Sequence, residues 1–294
     1  MDQSRHMTRR GFVRGAACAG LGAAMGVVSE AKAGLPDHRS RVVLVRDENL
    51  LDHRHKPQPR VLLSVLDTAV CLLSGEVEPV AAWGRYFQPD DVVGLKTNEM
   101  MLKTPPALSA AMRQRLRDVG VLAGNLHETD REAYRLLGKC TALLNTCGFK
   151  SHWLSGVGGA VKNYLTFVPP DERRNYHGNY CANVGTVWRE AVCRGKTRLV
   201  VIDLLRPLFN GGPQVNPNYQ WDYKGLLVST DPVAADTVCL RLLQNKRDDF
   251  KGERWDLSPP AVHLETACRE HRLGTCDWGR IDLVKAGWAA DALV

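Results

Sequence analysis

Leu199-Val200-Val201-Ile202-Asp203 is the stretch that decides the fold. Four aliphatic residues with no polar alternation read as a strand buried on both faces, and the carboxylate marks its expected end. Val184, Val187, Trp188, Ala191 and Val192 precede it at helical spacing, with Gly195 as the stop. After it, Asn210-Gly211-Gly212-Pro213 turns the chain, and residues 226–228 form a second buried strand. Asp231-Pro232 then supplies an N-cap and a first-turn proline for a helix that buries Ala235, Val238 and Leu242. Helices and strands thus alternate on both sides of the deciding segment.

The alternation extends over the rest of the chain. Residues 42–45 read as a strand and 50–58 as a polar loop. Leu62, Val65, Leu66, Ala69, Val70 and Leu73 form a helical stripe closed by Gly75. Residues 91–95 are the next strand, ending in Lys96-Thr97-Asn98. Thr104-Pro105-Pro106 opens a helix with Leu108, Met112, Leu116 and Val119 inside, stopped by Gly120. Thr129 and Glu132 fit a capping box for a short helix, and residues 141–144 a strand that runs into a glycine-rich loop. Ser258-Pro259 opens a further helix, stopped by Gly274, and residues 281–284 are a last strand. The expected fold is α/β: a mostly parallel sheet with helices on both faces, as a single domain over residues 42–294.

The first 33 residues read differently. Arg9-Arg10 opens a mildly apolar stretch, and Ala31-Lys32-Ala33 closes it, the layout of a twin-arginine (Tat) export signal. Its apolar run of roughly 14 residues falls short of the ~20 needed to span a bilayer. A signal peptide over residues 1–33, a linker over 34–41 and a periplasmic or otherwise exported location are therefore expected, with the Tat translocase as partner. The chain of 294 residues carries a net charge of +7. Residues 1–33 hold five basic and two acidic side chains, which leaves +4 for the remainder. No basic run is interleaved with aromatic residues, so no nucleic-acid partner is expected. Nine cysteines in an exported chain allow zero to two disulfides. Cys71 and Cys239 sit in apolar helical patterns and should be free and buried, whereas Cys140 and Cys147 are a candidate close pair.

In α/β folds, sites form beyond the carboxyl ends of the strands. Sorting polar residues by that rule selects Lys96, Asn98, Lys150, His152, Asp203 and Asp231. The richest stretch is residues 150–163, where Gly158 and Gly159 let backbone approach a ligand, and Lys150, Lys162 and Asn163 flank it. It is neither a P-loop nor a dinucleotide-binding loop, since Gly-Lys-Ser/Thr and G-x-G-x-x-G are both absent. His152, Lys162 and Asp203 are the catalytic candidates; Lys96, Asn98, Lys150, Gly158, Gly159 and Asn163 are the ligand-binding ones. His152, His177, Asp203 and Asp231, with Asp236 beside them, offer a mixed His/carboxylate set of the type that suits iron or zinc. Cys268, His271 and Cys276 form a second, partial zinc pattern. There is no ferredoxin-type cluster motif.

Four blocks together resemble the family catalogued as domain of unknown function 362. They are Val92-Val93-Gly94-Leu95-Lys96-Thr97-Asn98, then Lys150-Ser151-His152 with Gly159-Ala160-Val161-Lys162-Asn163. Val201-Ile202-Asp203 with Asn210-Gly211-Gly212-Pro213 follows, and last Leu227-Val228-Ser229-Thr230-Asp231-Pro232-Val233-Ala234-Ala235-Asp236. The resemblance implies one α/β domain and no established activity. Some members join this domain to ferredoxin-like modules, which implies redox chemistry and a redox partner protein; this chain has no such module. Two functions are expected from this. One is an exported metal- or redox-linked enzyme acting on a small anionic substrate or cofactor. The other is a non-catalytic periplasmic protein that binds an anion or a metal.

Overall fold

The computed structural model describes residues 6–7 and 39–294. The segment read as a Tat signal, apart from His6–Met7, lies outside the described residues. The strands are His6–Met7 (β1), Ser40–Arg46 (β2), Val93–Lys96 (β3), Leu126–Thr129 (β4), Ala142–His152 (β5), Gly156–Gly158 (β6), Thr197–Leu208 (β7), Gly225–Ser229 (β8) and Ile281–Gly287 (β9). The helices are Pro59–Ser74 (α1), Pro79–Gly84 (α2), Pro106–Asp118 (α3), Ala160–Asn163 (α4), Val184–Arg189 (α5), Ala191–Lys196 (α6), Pro232–Lys251 (α7) and Val262–Arg269 (α8). One sheet carries the order β1-β9-β2-β8-β7-β5-β3-β4, with β6 paired to β5. It is mostly parallel, as the alternation of elements requires.

Alternate residues of each strand feed two cores. Val43, Val45, Val93, Leu95, Leu144, Val201 and Leu226 pack under α1, α2 and α3 with Leu62, Leu66, Trp83 and Met112. Val42, Leu44, Leu143, Val200, Ile202 and Leu227 pack on the other face with Val161, Trp188, Val238, Leu242 and Leu264 from α4, α5, α7 and α8. Burial on both faces explains why residues 199–202 show no polar alternation. Two helix stops fall where expected, Gly75 closing α1 at φ 81 and Gly120 following α3 at φ 96, whereas Gly195 lies inside α6, which runs to Lys196.

Several boundaries differ from the sequence reading, each for a local reason. β2 starts at Ser40, because its pairing with Ile281 and Asp282 continues into the last residues of the expected linker. The capping box at Thr129 does not form. Thr129 ends β4 instead, an edge strand paired to β3, and residues 133–135 make a single 3-10 turn with no side-chain cap. The expected helix over residues 184–192 is two, broken at Glu190 (ψ 127). The helix after Pro259 begins only at Val262 and ends at Arg269.

Two corrections bear on function. β7 runs on past Asp203 to Leu208, so Asp203 lies inside a strand and not at its end. The β5–β7 register jumps from Gly148↔Asp203 to Lys150↔Leu208, and in that irregularity Asp203 accepts the Leu205 N–H at 2.8 Å. β8 is antiparallel to both neighbours, so its carboxyl end lies at the amino ends of the other strands. Asp231 therefore sits beside Ser40, whose hydroxyl donates to it at 2.6 Å, and caps α7 through Val233 and Ala234 N–H. That carboxylate has a structural task, of a kind worth about 1 kcal/mol.

All eight cysteines among the described residues are free. Cys71 and Cys239 are buried, as their apolar surroundings demand. Cys140 and Cys147 are not a pair: extended chain separates them by roughly 20 Å at ~3.3 Å per residue.

Candidate functional site

The site follows from one long strand. β3 pairs β5 only as far as Lys96↔Asn145, so the second half of β5 overhangs its neighbour. The chain then folds back through β6, pairing Lys150 with Gly158 and His152 with Gly156, and drops into α4. The space beneath this overhang is a cavity of about 450 Å³. Asn98, Cys147, Lys150, His152, Gly158, Gly159, Lys162, Asn163 and His177 contribute to its wall. Arg131, Arg173 and Arg174 add cationic groups, and Met100, Met101 and Leu165 add apolar surface.

Its floor is a closed polar network. Lys96, fully buried, donates to Thr97 O (2.5 Å), Asp130 Oδ1 (2.7 Å) and Asn163 Oδ1 (2.9 Å), which uses all three ammonium protons. Asp130 Oδ2 accepts from Glu99 N–H at 2.9 Å. Asn163 Nδ2 donates to Asn145 Oδ1 and to Thr146 O, and Asn145 Nδ2 donates to Ala160 O. Lys96 is thus a clamp between β3, β4 and α4, and it is not available to a ligand. Asn98 shapes the next loop by donating to Met100 O and Leu102 O.

The upper wall is built differently. Lys150 is also buried, yet its one hydrogen bond is a 3.3 Å contact to Gly148 O. No carboxylate stands within ion-pair distance of Lys150 or Lys162 among the described residues. Burial lowers the pKa of Lys150, against a smaller opposing effect of Cys147, and Lys162 lowers it further. Burial also lowers that of Lys162, which touches the Cys181 thiol. His152 accepts the Leu154 N–H on Nδ1 at 3.1 Å, which leaves its proton on Nε2. Burial, then the charges of Lys162 and Lys150, push its pKa down to about 3, so the imidazole is neutral. His177 shifts the same way, chiefly by burial.

α4 is held from behind by Asp236, on the second turn of α7. Its two oxygens accept Ala160 N–H (2.7 Å) and Val161 N–H (2.8 Å). Burial outweighs these bonds and pushes its pKa up to about 7. A side chain at residue 159 has no room, since a Cβ there would lie 2.3 Å from Asp236 Oδ1. Arg173 fixes the far wall by donating to Val168 O, Arg131 O and Thr166 O.

Of the residues selected from sequence, Asn98, Lys150, His152, Gly158, Gly159, Lys162, Asn163 and His177 share this cavity. Lys96 lies beneath it. Asp203 does not line it; burial pushes its carboxyl up to about 7, and Lys150 is the cation that opposes this. Asp231 is at the opposite end of the sheet. The expected metal set of His152, His177, Asp203 and Asp231 is therefore not assembled, and among the described residues no three His, Cys, Asp or Glu form a metal-holding group. The cavity's donors do not fit a cation: its one carboxylate, Asp130, is committed to Lys96, and the remaining charged groups are basic. Sequence reasoning missed Asp130, Cys147 and Arg173, and took Asp236 for a metal ligand where it instead holds the Ala160 and Val161 N–H groups. Asp130 follows a four-residue edge strand too short to announce itself, and Arg173 sits in irregular chain with no period.

The fold and site define an α/β protein with a cation-lined cavity at the carboxyl ends of the parallel strands β3, β5 and β7. The family model described as Domain of unknown function (DUF362) matches residues 99–241, which supports the family read from the sequence blocks. That stretch carries α3 to the middle of α7 and most of the cavity wall. No curated protein and no solved structure matches the chain.

Proposed function

We propose that this chain is an exported protein whose cavity takes a small organic anion bearing a phosphate or carboxylate. The observation that carries this reading is the missing counter-charge. Lys150 is buried and Lys162 half-buried against the cavity with no acid of their own, while the fully buried lysine in the floor has one. An uncompensated buried cation costs several kcal/mol, which a bound anion offsets. Lysine and arginine donors to such a group are charge-assisted. The apolar side chains of Met100, Met101 and Leu165 suit the organic part of the ligand. His152 is the proton-transfer candidate. An anion beside Lys150 and Lys162 would cancel part of the field that depresses its pKa, bringing it toward the range where imidazole moves protons. An enzyme and a carrier share these features.

Titration calorimetry in chloride buffer with inorganic phosphate, pyrophosphate and citrate tests the proposal. Saturable binding of one of these is expected, weakened ~10–100-fold in Lys162→Ala, as for loss of one charge-assisted bond of ~1.5–3 kcal/mol. His152→Ala should weaken it less. Absence of binding for all three, with the fold intact, would sink the reading. The choice between phosphate and citrate separates the two head groups.

Export belongs to the same proposal and rests on Arg9-Arg10 and Ala31-Lys32-Ala33. Replacing both arginines by lysine should leave the full chain in the cytoplasm, because lysine does not reproduce the paired guanidinium groups. Unchanged accumulation outside the cytoplasmic membrane would exclude the Tat route.

A further inference from the structure

Cys268 lies on α8 and Cys276 on the loop that leads to β9, away from the cavity. The Cys276 N–H donates to Cys268 Sγ at 3.0 Å, which puts the two residues in direct contact. The other six described thiols are buried; these two are both partly exposed. Groups other than sulfur also hold the segment between them. Thr275 N–H donates to Asp231 Oδ2 at 3.0 Å, and Gly274 fits so closely that a Cβ would lie 2.0 Å from Asp231 Oδ1. Leu273 N–H donates to Ala267 O at 3.0 Å, which folds the segment back on its own helix.

Two partly exposed cysteines in contact, on a segment that other groups also hold, are placed to bond to one another. We infer that Cys268 and Cys276 are a redox-modification site, closed to a disulfide by a thiol–disulfide oxidant such as oxidised glutathione. One cysteine loses its proton and attacks the glutathione disulfide, releasing one glutathione thiolate. The second loses its proton and attacks the mixed disulfide, releasing the other. The two protons end on the two glutathiones, and the protein is oxidised by two electrons. Burial pushes the Cys276 thiol up to about 11, while Arg269 favours its thiolate. Closure is therefore slow at neutral pH and faster in alkali.

The disulfide would staple the end of α8 to the segment that grips Asp231, and so to the start of α7 and of β2. α8 is also tied to the chain just before α5, where Thr266 Oγ1 donates to Ala182 O at 2.6 Å.

Incubating the full chain with oxidised glutathione at alkaline pH, followed by non-reducing peptide mapping, tests the inference. A linked Cys268–Cys276 peptide is expected, with both residues lost to alkylation and a rise of a few degrees in Tm that dithiothreitol reverses. Cys276→Ser should yield a single glutathione adduct on Cys268 and no rise. The inference fails if both thiols remain alkylatable after oxidation, if each carries a stable glutathione adduct, or if either links to a buried cysteine. Stoichiometric zinc on the reduced pair that blocks closure would also overturn it.

Discussion

Lys150→Met is expected to stabilise the protein in the absence of anions, and Lys96→Met to destabilise it strongly. Both lysines are buried, and burial lowers the pKa of each. They differ in what surrounds the ammonium. Lys96 has Asp130 at 2.7 Å and two further acceptors. Removing it leaves Asp130 buried and unpaired, at a cost of about 3–5 kcal/mol. Lys150 has one long bond to a carbonyl. Methionine fills nearly the same volume without the charge, and relief of that charge should gain about 1–3 kcal/mol. The same substitution should cost at least tenfold in anion affinity. Urea denaturation in chloride buffer, with unchanged m-values, reads the two stabilities. Equal losses in both variants would mean that Lys150 has a partner of its own, and the anion reading would lose its main support.

Gly159→Ala should be nearly as damaging as Lys96→Met, although it adds a single methyl group. That methyl would occupy the place of the Asp236 carboxylate, which holds α4 by two backbone hydrogen bonds. Overpacking and the loss of both bonds together amount to about 3–5 kcal/mol. Asp236→Ala removes the bonds without the clash and should cost about 2–3 kcal/mol. The double variant should be no worse than Asp236→Ala alone, because the clash needs both groups. Additive losses would show that the methyl strikes something else. The pH dependence has a defined sign. The folded-state pKa of Asp236, about 7, is above its ordinary value. Its contribution is thus fully present below about pH 4 and lost as pH rises through 7. The penalty of Asp236→Ala should therefore be larger at pH 5 than at pH 8.

These two predictions depend on features that the sequence shows to different degrees. The glycine at 159 and the carboxylate at 236 are 77 residues apart, and the sequence reads each as a candidate ligand-site residue without joining the two. Their contact exists only because α7 crosses the sheet behind α4. The pairing of Lys96 with Asp130 is equally hidden, since a four-residue edge strand delivers the acid.

Local chemistry determined much else. Continuous aliphatic runs specify strands buried on both sides, and helical stripes ended by glycine specify the covering helices, so the α/β layout is legible from residues 199–203 outward. The collection of Lys150, His152, Lys162 and Asn163 on one cavity was also legible, because a strand end followed by a glycine-rich return keeps them near in sequence. Strand direction was not. The run 226–228 is equally apolar in a parallel or an antiparallel neighbour, and that choice alone sends Asp231 to the far end of the sheet. Strand length was not legible either, since register and pairing carry β5 and β7 through polar residues that pattern reads as ends. Which lysine keeps a counter-charge and which faces the cavity without one is a matter of position in three dimensions. It was decided only when β3, β4, β5 and α4 came together.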